Sequence, residues 1–275
     1  MVPKGLMFSK LDKVKGLLEE VSDLEIVPRF RNLKAGDISQ KTGGETVTIA
    51  DIETEKRLSR LIKDLFPGSN VIGEEKVALE PDLLRSINLD QMTWVIDPID
   101  GTNNFAKGID TFKCMLALIY KGETIAGWIY DPITKSTLQA RQGEGAFLDA
   151  TRLKVSIPGS YNATDCIGTL HSSKDRDPDV AQWIEKNRSR LNVVKTLRCA
   201  GADYERLATS KTQFSLYTRL MPWDHLPGVL IHREAGGYGA CLDQQEYGFN
   251  SYDQKGLLLA PNKDLWDQIY AALFP

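Results

Sequence analysis

The hydrophobic and polar positions repeat with two different periods along the chain, and these periods predict a mixed α/β protein. Up to residue 34, apolar side chains recur every three or four positions, which predicts a helix over residues 6–34. The polar, glycine-containing segment 35–45 predicts a mobile loop or a short hairpin. A second helix is expected from Ile49 to Phe66, because Pro67-Gly68 then ends it. Val71-Ile72 is predicted to be a short buried strand.

Residues 111–141 change to a strand pattern, with three apolar runs separated by hairpin-type turns. Beyond residue 160 the two patterns interleave. Strands are predicted at 166–170, 193–197 and 214–217, and helices at 178–188, 202–210 and 226–234. We therefore expect an α/β protein of the α+β type. Residues 158–160 are Pro-Gly-Ser, a composition typical of a boundary between subdomains. We therefore expect an N-terminal α+β subdomain (1–157) with most of the metal ligands and a C-terminal α/β subdomain (158–275) that carries the last ligand and the specificity residues.

Composition and charge narrow the classes of function. The chain has 275 residues, of which 42% are hydrophobic, and its formal charge is 34 − 37 = −3, without the basic stripe of a nucleic-acid binder. The four cysteines contain no Cys-x-x-Cys pair, which argues against a zinc site and a disulfide framework. No apolar stretch approaches the roughly 20 residues that span a bilayer, and the N-terminus lacks a signal-peptide core. We expect a cytoplasmic protein with neither a membrane nor a nucleic acid as partner.

The strongest candidate chemistry lies in residues 94–105, where an apolar run ends at Asp97 and a turn carries Asp100 three residues later. Either acid alone would be an ordinary turn residue, since Asp-Pro and Asp-Gly are common turn dipeptides. Ligand sites gather at strand ends in α/β sheets, and paired carboxylates suit Mg²⁺. Glu74 and Asp224 are further acids of this kind, and converging carboxylates can hold two divalent ions. A metal beside an anion-binding turn indicates phosphate chemistry.

One competing motif is excluded by spacing. Haloacid-dehalogenase phosphatases carry Asp-x-Asp-Gly-Thr, with a single residue between the acids. Here Pro98 and Ile99 separate them, so the nucleophilic-aspartate chemistry of that family does not apply.

Several motifs in order resemble the inositol monophosphatase family of Mg²⁺-dependent, lithium-sensitive phosphatases, over nearly the whole chain. The matching segments are Val71-Ile72-Gly73-Glu74-Glu75, residues 94–105 (WVIDPIDGTNNF), Gly127-Trp128-Ile129-Tyr130-Asp131-Pro132, residues 143–148 (GEGAFL), Trp223-Asp224-His225-Leu226-Pro227-Gly228 and Glu234-Ala235-Gly236-Gly237. The resemblance implies a layered αβαβα sandwich of the inositol monophosphatase and fructose-1,6-bisphosphatase type. It also implies a homodimer.

The resemblance assigns two or three Mg²⁺ ions to each site. Glu74, Asp97 and the carbonyl of Ile99 are expected to hold the first ion. Asp97, Asp100 and Asp224 are expected to hold the second, and Glu74 with waters a weaker third.

The resemblance also implies catalytic roles, with a metal-activated water as the nucleophile. Thr102, oriented by Asp51, would accept a hydrogen bond from that water, and Glu74 would take part in proton transfer. The N–H groups of Gly101 and Thr102 would hold phosphate oxygens. Asp51 also has a structural explanation, because an acid in the first turn of a helix is favoured electrostatically. His225 is expected to pack rather than to bind metal, and His171 to lie on a surface or loop.

The chain departs from the family pattern where specificity is set. Gly201-Ala202-Asp203-Tyr204 stands where inositol phosphatases usually have Gly-Ser-Ala-Ala, and Tyr217 replaces an acid that grips sugar hydroxyls. A phenol cannot provide the two acceptor oxygens of a carboxylate. Asp203 either supplies the missing acceptor or caps a helix. The residues expected to contact substrate are Glu74, Ile99, Asp100, Gly101, Thr102, Asp203, Tyr217 and Asp224.

The predicted function is Mg²⁺-dependent hydrolysis of a small phosphate ester, inositol monophosphate or a similar polyol or sugar phosphate. Alternative substrates are histidinol phosphate, a sugar bisphosphate, a nucleotide 3′-phosphate or NADP. A different class, a non-enzymatic partner of the RNA-processing or transcription machinery, would need a basic or apolar docking face, and the balanced charge does not support one.

Overall fold

The computed structural model describes residues 10–156, 161–172 and 176–274, and the fold is given for these ranges. The helices are α1 Val14–Val21, α2 Ile49–Leu65, α3 Glu74–Leu79, α4 Leu83–Ser86, α5 Thr102–Ala106, α6 Pro178–Asn187, α7 Ala200–Ala208, α8 Pro222–Glu234 and α9 Lys263–Leu273. The strands are β1 Ile38–Gln40, β2 Thr46–Thr48, β3 Asn70–Gly73, β4 Thr93–Asp100, β5 Lys113–Tyr120, β6 Glu123–Tyr130, β7 Thr137–Arg141, β8 Gly145–Leu148, β9 Thr151–Arg152, β10 Ile167–His171, β11 Asn192–Val193, β12 Phe214–Tyr217, β13 Tyr238–Cys241 and β14 Leu257–Ala260. Across these ranges, every helix is too short or too polar to cross a bilayer.

A seven-stranded sheet in the order β3-β4-β5-β6-β7-β8-β9 forms one β-layer. Strands β3 and β4 run parallel, and the remaining neighbours are antiparallel. Side chains of β4 alternate between its two faces. Trp94 and Ile96 share a core cluster with Leu18 of α1 and Leu58 of α2, so these helices cover the first face. Val95 belongs to the cluster on the opposite face.

Helices α7 and α8 form the middle layer between the two large sheets. Leu207 of α7 and Leu230 of α8 share one core cluster with Val95 and with Leu257 and Leu259 of the second sheet. That sheet has five strands in the order β11-β10-β12-β14-β13.

The outer face of the second sheet is covered by α6 and α9. Leu258 of β14 packs in a cluster with Ile184 of α6 and Trp266 of α9. The layer order is therefore α, β, α, β, α, which confirms the predicted αβαβα sandwich.

Some elements differ from the sequence prediction. The helix expected over 6–34 ends at Val21 within the described part, followed by a π-helical turn, Ser22–Ile26, and a 3₁₀ turn, Val27–Arg29. Pro28 contributes to the end of these turns before the extended Phe30, because it has no amide hydrogen and its ring disfavours a continuing α-helix. The strand expected at 193–197 is only Asn192–Val193, an edge strand paired with β10 alone. The helix expected at 202–210 spans Ala200–Ala208 instead.

The segment 35–45 leads into a hairpin, in which β1 and β2 pair antiparallel. Lys41 N–H donates to Glu45 O at 2.7 Å and closes the turn. The proposed subdomain boundary at 157/158 lies outside the described residues, so the division into 1–157 and 158–275 stays a prediction.

Candidate active site

A bulge at the end of β4 brings Asp97 and Asp100 to the same face. Asp97 pairs with Met115 and Asp100 with Lys113, so three steps along β4 oppose two along β5. One extra residue reverses the direction of the following side chains. Ile99 therefore lies in the core cluster on the α1–α2 side, and Asp100 turns toward the side of Asp97.

Three carboxylates from separate elements converge at this bulge. Glu74 opens α3 directly after β3, Asp97 is in β4, and Asp224 is in the first turn of α8. One oxygen from each lies within 4.8 Å of the others. Asp97 is 1% exposed, and its Oδ1 has no hydrogen-bond partner among the described residues. A buried carboxylate oxygen without a partner is costly unless a cation binds it.

The electrostatics of the cluster also favour a bound cation. Burial raises the pKa of Asp97 well above its usual value, and Glu74 raises it further by repulsion. Burial raises the pKa of Asp224 to about 8, although Arg219 acts in the opposite direction. A divalent ion would remove this repulsion, and Mg²⁺ prefers such carboxylate oxygens. The donor set therefore fits the predicted metal.

Asp100 lies beside the cluster and is held by the N-terminus of α7. Its Oδ2 accepts from the Gly201 N–H at 2.6 Å, and its Oδ1 from the Ala200 N–H at 3.1 Å. The Cys199 thiol lies 3.1 Å from Oδ2. Burial raises the pKa of Asp100, and these hydrogen bonds lower it. Its carboxylate keeps lone pairs for a metal, and its role as a ligand stays a prediction.

Thr102 and Asp51 form a fixed pair next to the bulge. Thr48 caps α2, and its N–H and hydroxyl lie 2.8 and 2.6 Å from Asp51 Oδ2. The other oxygen, Oδ1, lies 3.1 Å from Thr102 Oγ1, which is also 2.9 Å from the Ile99 carbonyl oxygen. Burial raises the pKa of Asp51 to about 7, although the hydrogen bonds from Thr48 act to lower it. The structure thus brings the predicted catalytic pair into contact.

Gly101 makes the turn that separates Asp100 from Thr102. Its φ is +90°, a left-handed conformation that glycine adopts without strain. A Cβ at this position would lie 3.1 Å from Thr111 O and 3.2 Å from Cys199 Cβ. Both the backbone angle and the close approach to the second half of the chain therefore require glycine.

Sequence reasoning missed Lys41, which lies on the hairpin and contacts the acidic cluster. Its Nζ is 2.7 Å from Glu74 Oε1 and 2.7 Å from Glu75 Oε1, and its side chain is 7% exposed. Burial lowers the pKa of Lys41, but these ion pairs outweigh it and the pKa is raised. No periodic or motif signal in the polar hairpin sequence distinguishes this lysine from a solvent-exposed one.

Asp203 and Tyr217, the predicted specificity residues, are both buried. Asp203 Oδ2 lies 3.0 Å from His171 Nε2 and accepts from the Leu197 N–H at 3.4 Å. Tyr217 is 3% exposed, and its ring stacks on His171 with a centroid distance of 4.5 Å. Tyr217 Oη and Asp203 Oδ1 have no hydrogen-bond partner among the described residues, and the contact of both side chains with a substrate stays a prediction.

His225 has both ring nitrogens engaged inside the protein. Nδ1 lies 3.0 Å from Tyr204 Oη, and Nε2 lies 2.8 Å from Arg219 O. Burial lowers the pKa of His225 to about 3. The neutral, packed ring matches the expectation that it does not bind metal.

Comparison with known proteins places this geometry in a family. The model of the inositol monophosphatase family matches residues 15–274. The chain belongs to the inositol monophosphatase family. It is 31% identical over 229 residues to the fructose-1,6-bisphosphatase/inositol-1-monophosphatase of Thermotoga maritima, covering 83% of each chain.

The chain is also similar to a second curated relative and to a solved structure. The Nus factor SuhB of Pseudomonas aeruginosa is 28% identical, with 90% of each chain covered. The solved structure of Thermotoga maritima IMPase superposes with a TM-score of 0.80 at 27% identity, covering 96% of each chain. Membership indicates a phosphatase, and this family generally uses Mg²⁺.

Proposed function

We propose that the protein is a Mg²⁺-dependent phosphomonoesterase that hydrolyses a small phosphorylated metabolite. The observation that carries the proposal is the convergence of Glu74, Asp97 and Asp224 within 4.8 Å, with a partnerless buried oxygen on Asp97. These three acids would hold the metal, together with Asp100 and the carbonyl of Ile99. When bound, Mg²⁺ supplies Lewis-acid chemistry at phosphoryl oxygens and lowers the pKa of water.

The protein's own contribution is to position a water and its proton. The Thr102 hydroxyl has one proton, which it can donate to Asp51 Oδ1 at 3.1 Å. In that orientation, a lone pair on Oγ1 is free to accept a hydrogen bond from a water in the site. Thr48 holds the other oxygen of Asp51, so this orientation is built into the first turn of α2. We propose that the pair aligns the attacking water.

Phosphate release from a panel of esters tests the proposal directly. The panel contains inositol 1-phosphate, fructose 1,6-bisphosphate, histidinol phosphate, a nucleotide 3′-phosphate and NADP. We expect release from at least one ester that needs Mg²⁺, is abolished by EDTA and is inhibited by Li⁺. Asp224→Asn should reduce turnover at least about 100-fold. Mutation of a residue that only hydrogen-bonds to a metal ligand usually costs less than this. Activity that is indifferent to EDTA would contradict the metal assignment.

The similarity to proteins named Nus factor SuhB makes a transcription role the alternative. A binding role would not need the carboxylates, so it should survive Asp97→Asn, whereas phosphatase activity should not. Pull-down with that variant, beside the phosphate assay, separates the two functions.

A further inference from the structure

A cavity of about 400 Å³ adjoins the carboxylate cluster, and its wall includes Asp100 and Asp224. The wall also carries the basic side chains Arg198, Arg219 and His171. The part of an ester that lies beyond the scissile phosphate would occupy this cavity. It would meet cationic donors there, which match the acceptor oxygens of an anion, whereas the hydroxyl groups of a neutral polyol also need acceptors for their own protons.

Arg198 presents an exposed guanidinium at the start of the segment that holds Asp100. It directly precedes Cys199, whose thiol contacts the Asp100 carboxylate. Its φ is +56°, a left-handed conformation that is uncommon and costly for a residue other than glycine. Within the described residues, no carboxylate lies at ion-pairing distance from it. An arginine held this way at a cavity wall is free to bind an anion.

Arg219 reaches the same cavity from the segment between β12 and α8. Its carbonyl oxygen lies 2.8 Å from His225 Nε2, which fixes the backbone. Its side chain is 44% exposed and forms an ion pair with Glu45 of the hairpin. Glu45 is itself 45% exposed, so the pair lies at the surface, where such interactions are weak. An incoming anion can therefore compete with Glu45 for this guanidinium.

Outside the predicted metal site, the described wall carries no carboxylate, and its aliphatic hydroxyl groups are those of Ser172, Thr196 and Thr218. Tyr217 is 3% exposed and stacks on His171, so an aromatic surface stands where an acid would grip hydroxyls. Asp203 is also buried, with its side chain 1% exposed and its Oδ2 3.0 Å from His171 Nε2. The acids that line the cavity, Asp100 and Asp224, belong to the predicted metal site.

We propose that the natural substrate carries a second anionic group, a phosphate or a carboxylate, bound by Arg198 and Arg219 while the scissile phosphate lies at the carboxylate cluster. The inference rests on the proposed phosphatase function and names its substrate class as doubly anionic small esters. The planar guanidinium fork matches both anions, since each offers two oxygens for paired hydrogen bonds.

Matched substrate pairs test the inference and distinguish the two anions. The first pair is fructose 1,6-bisphosphate and fructose 6-phosphate. The second is 2-phosphoglycerate and glycerol 2-phosphate, which differ by a carboxylate. We expect kcat/KM at least tenfold higher for the doubly anionic member of one pair, and that pair identifies the anion. Equal kcat/KM within both pairs would overturn the inference and leave the phosphatase proposal standing. No release from any ester, including the wider panel, would contradict the phosphatase proposal itself.

Substitutions then assign the effect to the two arginines. Arg198→Met and Arg219→Met should each reduce the preference for the doubly anionic ester at least fivefold, mainly through KM. Arg198→Lys should retain part of it, because a lysine keeps the charge but loses the fork. Arg85→Met, at an exposed position of α4 outside the cavity wall, is the matched control and should leave the preference unchanged. An unchanged preference in both arginine variants, with a wild-type melting temperature, would overturn the assignment.

Glu45→Gln provides a test of opposite sign that does not depend on a loss of function. Because it removes the carboxylate that competes for Arg219, KM for the doubly anionic ester should fall. An unchanged or higher KM, with a wild-type melting temperature, would contradict the assignment of Arg219 to the second anion.

Discussion

At the scale of single residues, the candidate site depends on one inserted residue in β4. Without the bulge, strict alternation would put Asp100 on the opposite face from Asp97. The bulge places Ile99 in the core instead and turns both acids to one side. The result is a set of buried carboxylates that repel one another, and a bound cation would remove this repulsion.

Asp97→Asn should abolish phosphate release without destabilising the metal-free protein. The amide has nearly the same shape as the carboxylate, and the substitution removes a buried charge. The Oδ1 atom of the Asp97 carboxylate has no hydrogen-bond partner among the described residues, so no native bond to it is lost. Thermal melting with and without Mg²⁺ checks this. The wild-type protein should be stabilised by Mg²⁺ because the ion binds the folded state, and the variant should show little shift. An equal shift in both proteins would contradict the assignment of Asp97 as a ligand.

His232 should make the protein less stable as the pH falls below about 6.5, the value for an unperturbed histidine. Its Nε2 lies 2.9 Å from Ala260 O, and burial lowers its pKa. The unfolded chain therefore takes up a proton before the folded one does, and the free energy of unfolding falls by up to about 1.4 kcal/mol per pH unit. Urea unfolding between pH 5 and 8 should show a shallower decline in His232→Gln. Parallel pH profiles would contradict this origin.

At the scale of elements, helix termini position the predicted catalytic and metal-binding acids. Asp224 lies in the first turn of α8, and Ala200 and Gly201 at the start of α7 bind Asp100. The start of α2 presents Asp51 to Thr102 through a capping box. At α2 and α7, a carboxylate accepts hydrogen bonds from N–H groups of the helix terminus, which satisfies those groups and orients the acid.

Thr48→Val should therefore affect both stability and turnover. It removes the hydroxyl that contacts Asp51 Oδ2 and caps the Ala50 N–H. Loss of a helix cap costs about 1 kcal/mol, within a range of roughly 0.5–2. Urea unfolding measures this loss, and the phosphate assay should show lower kcat because Asp51 is held less firmly. Thr48→Ser keeps the hydroxyl and serves as the control. A wild-type kcat in Thr48→Val would contradict a role for the Thr48 hydroxyl in holding Asp51 for catalysis.

At the scale of the whole molecule, the middle helical layer joins the sheets and carries the last acid of the cluster. Its packing is tight at Gly228 of α8, where a Cβ would lie 2.2 Å from the Tyr204 ring of α7. The same tight packing occurs at Gly127 of β6, where a Cβ would lie 2.8 Å from Pro227 Cα. The position of Asp224 relative to Asp97 thus depends on how closely α8 approaches both neighbours.

Gly228→Ala should destabilise the fold and weaken the metal site. Overpacking of this kind costs roughly 1–3 kcal/mol, which exceeds the gain of about 0.5–1 kcal/mol in helix propensity. Because Asp224 lies one turn away on the same helix, the thermal shift produced by Mg²⁺ should also fall. Gly16→Ala in α1 is the matched control, since a Cβ there meets nothing within 4 Å and should stabilise the protein. Equal melting temperatures for the two variants would contradict the packing argument.

The sequence by itself determined the features that depend on neighbouring residues. The alternation in β4, the turn at Gly101, the acid in the first turn of α2 and the hairpin after residue 35 follow from local periodicity and turn chemistry. The predicted layer order and reaction type came from the resemblance of whole motifs, and the fold and family are confirmed.

Only the tertiary structure decided which distant groups meet. Asp224 comes within 4.8 Å of Glu74 and Asp97, although more than a hundred residues separate it from them in the chain. The contact of Lys41 with Glu74, the contact of Asp203 with His171 and the position of two arginines at one cavity likewise depend on tertiary packing. Local propensity acts over a few residues, whereas these contacts are set by how α8 and the second sheet pack on the first. The position of the carboxylates relative to this cavity therefore became visible only in the folded chain.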